Sequence, residues 1–227
     1  MKLEVTNISG GYGERLVHQD LSLSLQAGET IAVIGRNGTG KTTLARLISG
    51  ELKLADGAIS LDKKQLADRP QWYRARAGIT AMPQTQMVFD SLTVAENLAL
   101  ADTGGTGFLP DLLDSFPRMA ERMAQTAGSL SGGERKILGF VRTMLAGGSV
   151  ILLDEPSEGV QAENIERMQG WIQKRCRAGA GCLLLEQNLS LVLALASRVV
   201  ALDSGGMVFD ISGAQITRKK LLTALQI

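Results

Sequence analysis

Short apolar runs along the chain alternate with longer segments in which apolar residues recur every three or four positions. The short runs predict β-strands near residues 3–8, 21–25, 30–35, 57–61, 78–82, 150–155, 182–186, 198–202 and 207–211. The longer segments predict helices near residues 42–50, 65–77, 94–100, 131–147, 163–179 and 189–196, with a short terminal helix after residue 213. Because strands come first and then alternate with helices, we predict an α/β fold that begins with antiparallel β-strands and continues as a mainly parallel sheet.

The segment from about residue 85 to 146 departs from this alternation. Its strand signal disappears, and helical patterns take over on both sides of the loose stretch DTGGTGF at residues 102–108. We interpret it as an α-helical subdomain inserted into a core that comprises residues 1–84 and 147–227. A length of 227 residues suits one domain built in this way.

Composition and charge exclude several classes of protein. Hydrophobic residues make up 44% and charged residues 21% of the chain, which are ordinary globular values. The net charge is only +1, so there is no basic footprint for nucleic acid. Two cysteines, Cys176 and Cys182, fit neither a disulfide framework nor a metal site. The N-terminus has no signal-like apolar region, and the apolar stretch 189–202 is too short to span a bilayer, so we expect a soluble cytosolic chain.

A glycine-rich stretch directly follows the strand predicted near residues 30–35. It satisfies the pattern G-x-x-x-x-G-K-[ST] and contains Gly35, Arg36, Asn37, Gly38, Thr39, Gly40, Lys41, Thr42 and Thr43. Glycines allow successive backbone N–H groups to converge on an anion, and the following helix directs its N-terminus at the same point. Lys41 supplies a positive charge for the terminal phosphates, and the Thr42 hydroxyl is placed to bind Mg²⁺. This stretch predicts a nucleotide-binding phosphate loop.

A second motif, VILLDEP at residues 150–156, is an apolar strand that ends in two carboxylates. In a nucleotide site Asp154 would orient Mg²⁺, and Glu155 would polarise the attacking water. The alternative is an acidic strand end that Pro156 merely terminates. The phosphate loop in the same chain favours the catalytic interpretation.

A third motif, LSGGE, opens the helix predicted at 131–147 and consists of Leu130, Ser131, Gly132, Gly133 and Glu134. Ser131 and Glu134 have the spacing of a capping box, which accounts for those two residues, and Thr93 and Glu96 have the same spacing earlier in the chain. A cap does not need two glycines, and glycine weakens a helix. The glycine pair therefore indicates that a ligand, such as a phosphate, closely approaches the helix N-terminus.

With these three motifs in this order, the chain resembles the ATP-binding subunits of ABC transporters over nearly its whole length. The resemblance implies an ATPase with ATP and Mg²⁺ as cofactors. It also implies a head-to-tail pair of ATPase subunits, self or paralogue, in which each ATP lies between one subunit's phosphate loop and the other's LSGGE. By the same resemblance Tyr12 stacks on adenine, and Gln84 senses Mg²⁺ and the attacking water. For Tyr12 the alternative is a turn residue in a glycine-rich loop.

The resemblance also identifies two departures from the family pattern. Gln187, in the stretch CLLLEQNLS, occupies the position of the family's switch histidine, which contacts the γ-phosphate; the chain's single histidine, His18, precedes the phosphate loop. A glutamine can donate to a phosphate oxygen but cannot titrate, so hydrolysis should depend on Glu155. The alternative is that Gln187 is a solvated strand end. Gln161 replaces a common aspartate in a loop that crosses between subunits.

With the glutamine in the stretch EQN, the chain resembles the branch of importers for branched-chain amino acids, other hydrophobic amino acids, and urea or short amides. The stretches GRNG and SEGVQ are more similar to the urea members. The resemblance implies two integral-membrane permease subunits as partners, an extracytoplasmic solute-binding protein that acts indirectly, and a peripheral location on the cytoplasmic face of the membrane. Two other hypotheses stay open. One is a soluble ATPase clamp, against which the balanced charge and missing heptads argue; the other is a nucleotide-responsive scaffold that hydrolyses ATP poorly.

Overall fold

The computed structural model describes residues 2–102 and 106–226. Within these ranges the strands are β1 (Lys2–Tyr12), β2 (Arg15–Gln26), β3 (Thr30–Ile34), β4 (Asp56–Leu61), β5 (Lys64–Gln65), β6 (Ile79–Met82), β7 (Val150–Asp154), β8 (Gly181–Leu185), β9 (Arg198–Asp203) and β10 (Gly206–Ser212). The α-helices are α1 (Lys41–Ser49), α2 (Gln71–Arg76), α3 (Val94–Ala101), α4 (Leu109–Ser115), α5 (Pro117–Glu121), α6 (Gly132–Leu145), α7 (Ala162–Arg177), α8 (Leu189–Leu195) and α9 (Arg218–Gln226).

The strands form two sheets, which confirms the predicted α/β class. The first sheet is antiparallel and has the order β2-β1-β4-β5. The second has the order β10-β9-β3-β8-β7-β6, and only the edge strand β10 runs antiparallel to its neighbour. The carboxyl ends of β3, β7 and β8 therefore meet at one edge of the parallel sheet, which is where open α/β sheets bind ligands.

Helix α1 lies between the two sheets and completes the core there. Its Leu44, Leu47 and Ile48 pack with inward residues of the antiparallel sheet and with one face of the parallel sheet. The strand β7 shows the period of two that this arrangement requires, because Val150 and Leu152 face α1 whereas Ile151 and Leu153 face α6 and α7 on the other side. The helix that begins at the phosphate loop is thus held on both sides.

Between β6 and β7 the regular elements of the described residues are all helices, joined by loops, and strand pairing is limited to one isolated bridge between Thr93 and Thr126. Both capping boxes expected from the sequence are present, Thr93 with Glu96 at the start of α3 and Ser131 with Glu134 at the start of α6. The division into a core and an inserted subdomain at residues 85 and 146 stays a prediction. Thr103, Gly104 and Gly105, in the middle of the predicted break, lie outside the described residues.

Three sequence expectations about individual elements were wrong. The helix expected at 65–77 begins only at Gln71, because Pro70 disfavours a helical conformation in the preceding residue and Gln65 pairs instead in β5. The short strand β5 was missed. Strands β1 and β2 extend well beyond their apolar runs, through irregularities in pairing near Asn7 and Asp20, whose φ angles are +47° and +51°.

A buried arginine fixes the end of the helix that begins at the phosphate loop. The Arg74 side chain is 1% exposed and donates to the carbonyl oxygens of Leu47 and Ile48 at 2.7 and 3.0 Å, in the last turn of α1. It also donates to the carbonyls of Ala67 and Arg69 at 2.8 and 2.9 Å. Burial lowers the pKa of Arg74, an effect that Asp68 opposes. A cation at a helix C-terminus is favourable because it pairs with the free carbonyl groups there.

We expect Arg74→Met to lower the free energy of unfolding by about 2–4 kcal/mol, because it preserves the aliphatic packing but removes four donors to buried carbonyls. The measurement is urea denaturation of the nucleotide-free protein. The matched control is Arg76→Met, since Arg76 lies on the same helix and is exposed. Equal stability of the two variants would show that the Arg74 hydrogen bonds contribute nothing net.

Candidate functional site

A cleft of about 830 Å³ opens at the carboxyl ends of β3, β7 and β8. It is lined by the phosphate loop, the end of β7, the end of β8 and the turn between β1 and β2. The lining residues are Tyr12, Arg15, Val17, Asn37, Gly38, Gly40, Lys41, Thr42, Thr43, Gln84, Glu155, Ser157, Glu158, Glu186, Gln187 and Asn188. Most of the predicted site residues of the first two motifs, together with Tyr12, Gln84 and Gln187, therefore line one cleft, whereas Gly35, Arg36, Thr39 and Asp154 are not among its lining residues.

The phosphate loop wraps around the Lys41 side chain. Lys41 Nζ donates to the carbonyl oxygens of Gly35 at 2.8 Å and Arg36 at 3.1 Å, and the Thr39 hydroxyl donates to the same Arg36 carbonyl at 2.9 Å. Burial lowers the pKa of Lys41, while the nearby carboxylates of Glu155, Asp154 and Glu186 oppose this effect. The site thus has a partly desolvated ammonium group whose surroundings keep it available for anionic oxygens.

Glycine is required at three positions of the loop for different physical reasons. Gly38 and Gly40 have φ angles of +85° and +103°, a region that favours glycine. At Gly35 the reason is space, because a Cβ there would lie 2.5 Å from the Leu202 carbonyl oxygen. A Cβ at Gly38 would meet nothing within 4 Å, so that part of the loop faces the cleft without obstruction.

Asp154 has the environment of a metal-site carboxylate. It is 2% exposed, and its Oδ1 has no hydrogen-bond partner among the described residues. Burial raises the pKa of Asp154, whereas the Thr42 hydroxyl and Lys41 act in the opposite direction. Among the described residues there is no group of three or more His, Cys, Asp or Glu side chains that could hold a metal. A cation here would therefore rely on Thr42, Gln84, Asp154, water and phosphate oxygens, which suits Mg²⁺.

Glu155 is held in one orientation by two amides. Its Oε2 accepts from Gln84 Nε2 at 2.8 Å and its Oε1 accepts from Gln187 Nε2 at 2.8 Å. Its backbone has a φ angle of +48°, which is rare for a side chain of this type. Lys41 Nζ lies 3.8 Å from Oε1. The carboxylate is thus fixed beside the Lys41 ammonium group, and strained backbone geometry of this kind is common at functional sites.

The two polar residues at the end of β8 have different tasks. The Gln187 amide also donates to Asn37 Oδ1 at 2.6 Å, so Gln187 links the phosphate loop to Glu155 and is not a free strand end. Glu186 is 2% exposed and accepts four hydrogen bonds, from Ser157 N and Oγ and from the backbone N–H groups of Gln187 and Asn188. Glu186 therefore fixes the loop after β7 and the start of α8.

Tyr12 ends β1 at the rim of the cleft. Its ring is 45% exposed, and its hydroxyl accepts from Arg46 Nη1 at 3.2 Å. An exposed aromatic ring beside a phosphate site can stack on a nucleobase. The nucleobase role expected for Tyr12 stays a prediction.

The LSGGE motif lies apart from this cleft. Leu130 is buried and Ser131 caps α6, while Gly132 and Gly133 border a separate surface cleft with Lys136 and Gly159. A Cβ at Gly133 would lie 2.8 Å from the Gly159 carbonyl oxygen, so internal packing already accounts for this glycine. A Cβ at Gly132 would meet nothing within 4 Å. The explanation expected for both glycines was the close approach of a ligand to the helix N-terminus. It now applies only to Gly132.

Comparison with known proteins decides the family. A family model described as ABC transporter matches residues 18–158. The chain belongs to the ABC transporter family of ATP-binding subunits. It is 34% identical over 224 residues to the high-affinity branched-chain amino acid transport ATP-binding protein BraG of Pseudomonas aeruginosa, covering 94% of each chain. It is also 32% identical to the probable branched-chain amino acid transport protein LivF of Archaeoglobus fulgidus, over 92% of this chain and 91% of that protein.

Other relatives of this ABC ATPase subunit extend the comparison. The lipopolysaccharide export system protein LptB of Escherichia coli K12 is 30% identical, over 91% of this chain and 88% of LptB. Among solved structures, an ATP-binding subunit of an ABC transporter matches with a TM-score of 0.90 and 28% identity, covering 100% of both chains. The fold class, nucleotide binding and the ATPase activity expected from the sequence are thus confirmed at the level of the family.

Sequence analysis missed three participants in the site of this ABC ATPase. Glu186, Ser157 and Asn188 form a hydrogen-bonded cluster behind Glu155 and Gln187. The signal was present, because an acid at the end of an apolar strand needs partners if it is buried. Two of its partners, Gln187 and Asn188, are adjacent in sequence, but Ser157 lies 29 residues away and could not be assigned from the sequence.

We expect Asp154→Asn to stabilise the nucleotide-free protein in EDTA, because burial penalises the charged carboxylate. The expected gain at neutral pH is about 1 kcal/mol in the free energy of unfolding, measured by urea denaturation. Asp114→Asn is the control, since Asp114 is exposed, and it should leave stability unchanged. A clear loss of stability in Asp154→Asn alone would contradict the desolvation argument.

Proposed function

We propose that this ATPase subunit binds MgATP in the cleft and powers a membrane importer for branched-chain or other hydrophobic amino acids, or for urea and short amides. The observation that carries the proposal is the convergence of Lys41, Glu155 and Gln187 in one cleft, within a chain that matches BraG over 94% of its length. The names of two relatives support amino-acid transport. LptB belongs to an export system, so export of a lipid is the competing direction.

The chemistry follows from the arrangement of the cleft. Lys41 and the N–H groups of the phosphate loop neutralise the charge of the transferring phosphoryl group, and Tyr12 stacks on the base. Thr42, Asp154 and Gln84 would hold Mg²⁺, which supplies further neutralisation of charge. Glu155 accepts a proton from water as the water oxygen bonds to the γ-phosphorus and the bond to the β-phosphate oxygen breaks, which releases ADP and phosphate. Gln84 and Gln187 orient the Glu155 carboxylate, and Gln187 takes no proton at any stage.

A second ATPase subunit, a further copy or a paralogue, completes the site. Because LSGGE lies outside the phosphate-loop cleft, residues Ser131–Glu134 of one subunit can serve only a nucleotide bound to another. The free N-terminal N–H groups of α6 and the unobstructed face of Gly132 suit a γ-phosphate. A solved dimeric ATP-binding cassette bound to ADP and phosphate has the same fold, with a TM-score of 0.82 and 17% identity.

We expect Glu155→Gln to lower ATP turnover by about 10²–10⁴-fold while ATP binding persists, because it removes the proton acceptor but retains the size and one of the two acceptor oxygens. Turnover is measured by phosphate release and binding by a fluorescent nucleotide. The control is Glu163→Gln, whose side chain is 70% exposed on α7 and lies outside the cleft, and its turnover should change little. If Glu155→Gln has the same turnover as the wild type, the catalytic role of Glu155 is refuted. If both rates are also low, the result favours the hypothesis of a scaffold that hydrolyses ATP poorly.

The segment after Gln84 provides the surface that we assign to the permease subunits. Phe89 and Leu100 are 51% and 54% exposed. Behind them Asn97 is buried and bonds the backbone N–H and C=O of Phe89, while Arg142 donates to the carbonyl of Met87 and stacks on the Phe89 ring. A rigidly held apolar patch next to a catalytic glutamine suits a docking partner.

No helix in the described ranges is long and apolar enough to cross a membrane. We assign this subunit to the cytoplasmic face, bound to two permeases, with a solute-binding protein acting indirectly on the other side.

We expect tagged chain, extracted from native membranes in mild detergent, to recover two multi-span permeases and an ATPase partner. Phe89→Asp should abolish this recovery and Trp72→Asp should not, because Trp72 is equally exposed but lies on α2. The binding protein encoded with the recovered permeases is then tested with leucine, urea and short amides. If the membrane extract is shown to contain intact complexes and only soluble proteins are recovered, the importer proposal is refuted. If a lipid-export assembly is recovered, the direction of transport is export.

A further inference from the structure

The chain's single histidine lies fully buried behind the phosphate loop. His18 is in β2 and is 0% exposed. Its ring contacts two backbone carbonyl oxygens that are far apart in sequence. Nε2 lies 2.9 Å from the oxygen of Gly40, and Nδ1 lies 2.6 Å from the oxygen of Gly205. His18 therefore connects β2, the phosphate loop and the turn between β9 and β10.

Two glycines make this slot possible. A Cβ at Gly40 would lie 2.7 Å from both Cε1 and Nε2 of the His18 ring, so the imidazole packs directly on the loop backbone. A Cβ at Gly205 would lie 1.7 Å from the Val17 carbonyl oxygen, so the second turn also approaches β2 closely. Both glycines have positive φ angles, +103° and +81°. The ring fills a site that side chains at these positions would close.

The Gly40 carbonyl is the point at which α1 begins. It accepts the first helical hydrogen bond from Leu44 N at 2.9 Å, in addition to the contact with His18. Lys41 is the next residue, and its ammonium group lies in the cleft. The position of the imidazole thus fixes the residue from which both the helix and the phosphate-binding lysine start.

Hydrogen-bond chemistry defines the state of the ring. Both partners are carbonyl oxygens, which only accept, and a neutral imidazole has a single N–H to donate. A neutral ring would direct a lone pair at one of the two oxygens, whereas a doubly protonated ring donates to both. The ionisable side chains on the adjoining elements are Arg15 and Asp20 in β2, Lys41 and Arg46 in α1, and Arg198 and Asp203 in β9. Within the described residues, no hydrogen bond or ion pair joins any of them to the ring.

We propose that His18 is a positioning residue for the phosphate loop and acts as an imidazolium that clamps Gly40 to the β9–β10 turn. Its charge lies on the side of the loop opposite the cleft and adds to the positive potential that the phosphates meet. This inference rests on the phosphate-binding role of the loop in the proposed function. His18 does not touch the reacting atoms, so it should govern nucleotide affinity more than the rate of the chemical step.

A single histidine allows a direct spectroscopic test on the unaltered protein. With ¹⁵N-labelled histidine, the two ring nitrogens are observed without assignment by mutation, at the pH of the ATPase assay. We expect both nitrogens to show attached protons in the nucleotide-free protein, and both signals to shift when MgADP binds. One protonated and one unprotonated nitrogen would overturn the imidazolium, and signals that ignore MgADP would overturn the link to the loop.

Variants separate positioning from stability. We expect His18→Leu to raise the KM for ATP about tenfold or more with kcat within about threefold, and His18→Gln to recover part of the loss because an amide can still donate to Gly40. Leu25→Ala is the control, since Leu25 is fully buried in the same strand, and it should lower stability without changing KM. If His18→Leu behaves like Leu25→Ala, the residue is merely structural and the proposal is wrong. A wild-type chain without turnover would count against the proposed function instead.

Discussion

The burial of a lysine at the edge of the parallel sheet is the constraint on which the rest of the site depends. Lys41 is 5% exposed, and removing an ammonium group from water is costly unless opposite charge and acceptors surround it. The two carbonyls of the phosphate loop and three carboxylates of β7 and β8 supply those surroundings. Carboxylates collected around one cation would repel one another without it. The cation and the anions therefore need each other, and the strand order β3-β8-β7 brings them together.

The hydrogen-bond partners of Asp154, Glu155 and Glu186 differ, and these differences indicate different roles for the three carboxylates. Glu186 has all its acceptor capacity used by Ser157, Gln187 and Asn188, so it is occupied with structure. Glu155 accepts from two uncharged amide groups, which can turn away without leaving a charge unpaired, and its Oε1 lies 3.8 Å from Lys41 Nζ. Asp154 has an oxygen without any partner among the described residues. The surroundings thus suit the three carboxylates to different roles: Glu186 supports the fold, and in the proposed function Glu155 accepts a proton and Asp154 binds the metal.

Sequence analysis predicted the parts of the fold that depend on local pattern. The capping boxes at Thr93 and Ser131 could be identified because their partners are three residues away. Most strands of the parallel sheet were found because burial on both faces makes them continuous apolar runs. The start of α2 at Gln71, the partners of Glu186 and the slot around His18 were not predicted. The last two depend on contacts that only the folded chain makes, such as His18 with Gly205, whereas the start of α2 follows from the local effect of Pro70.

The loop after β7 connects the cleft with the LSGGE surface through packed contacts. Glu186 holds Ser157 through two hydrogen bonds, the next residue Glu158 pairs with Lys136 of α6 at 3.5 Å, and the Gly159 carbonyl leaves no space for a side chain at Gly133. Three consecutive residues thus join the end of β8 to the first turn of α6. Because a close-packed loop cannot shift at one residue alone, movement at the end of β8 has to be accommodated at the helix N-terminus. In the proposed dimer each chain contributes its phosphate-loop cleft to one nucleotide site and its LSGGE surface to the other. This packing connects the two surfaces within one chain before any partner binds.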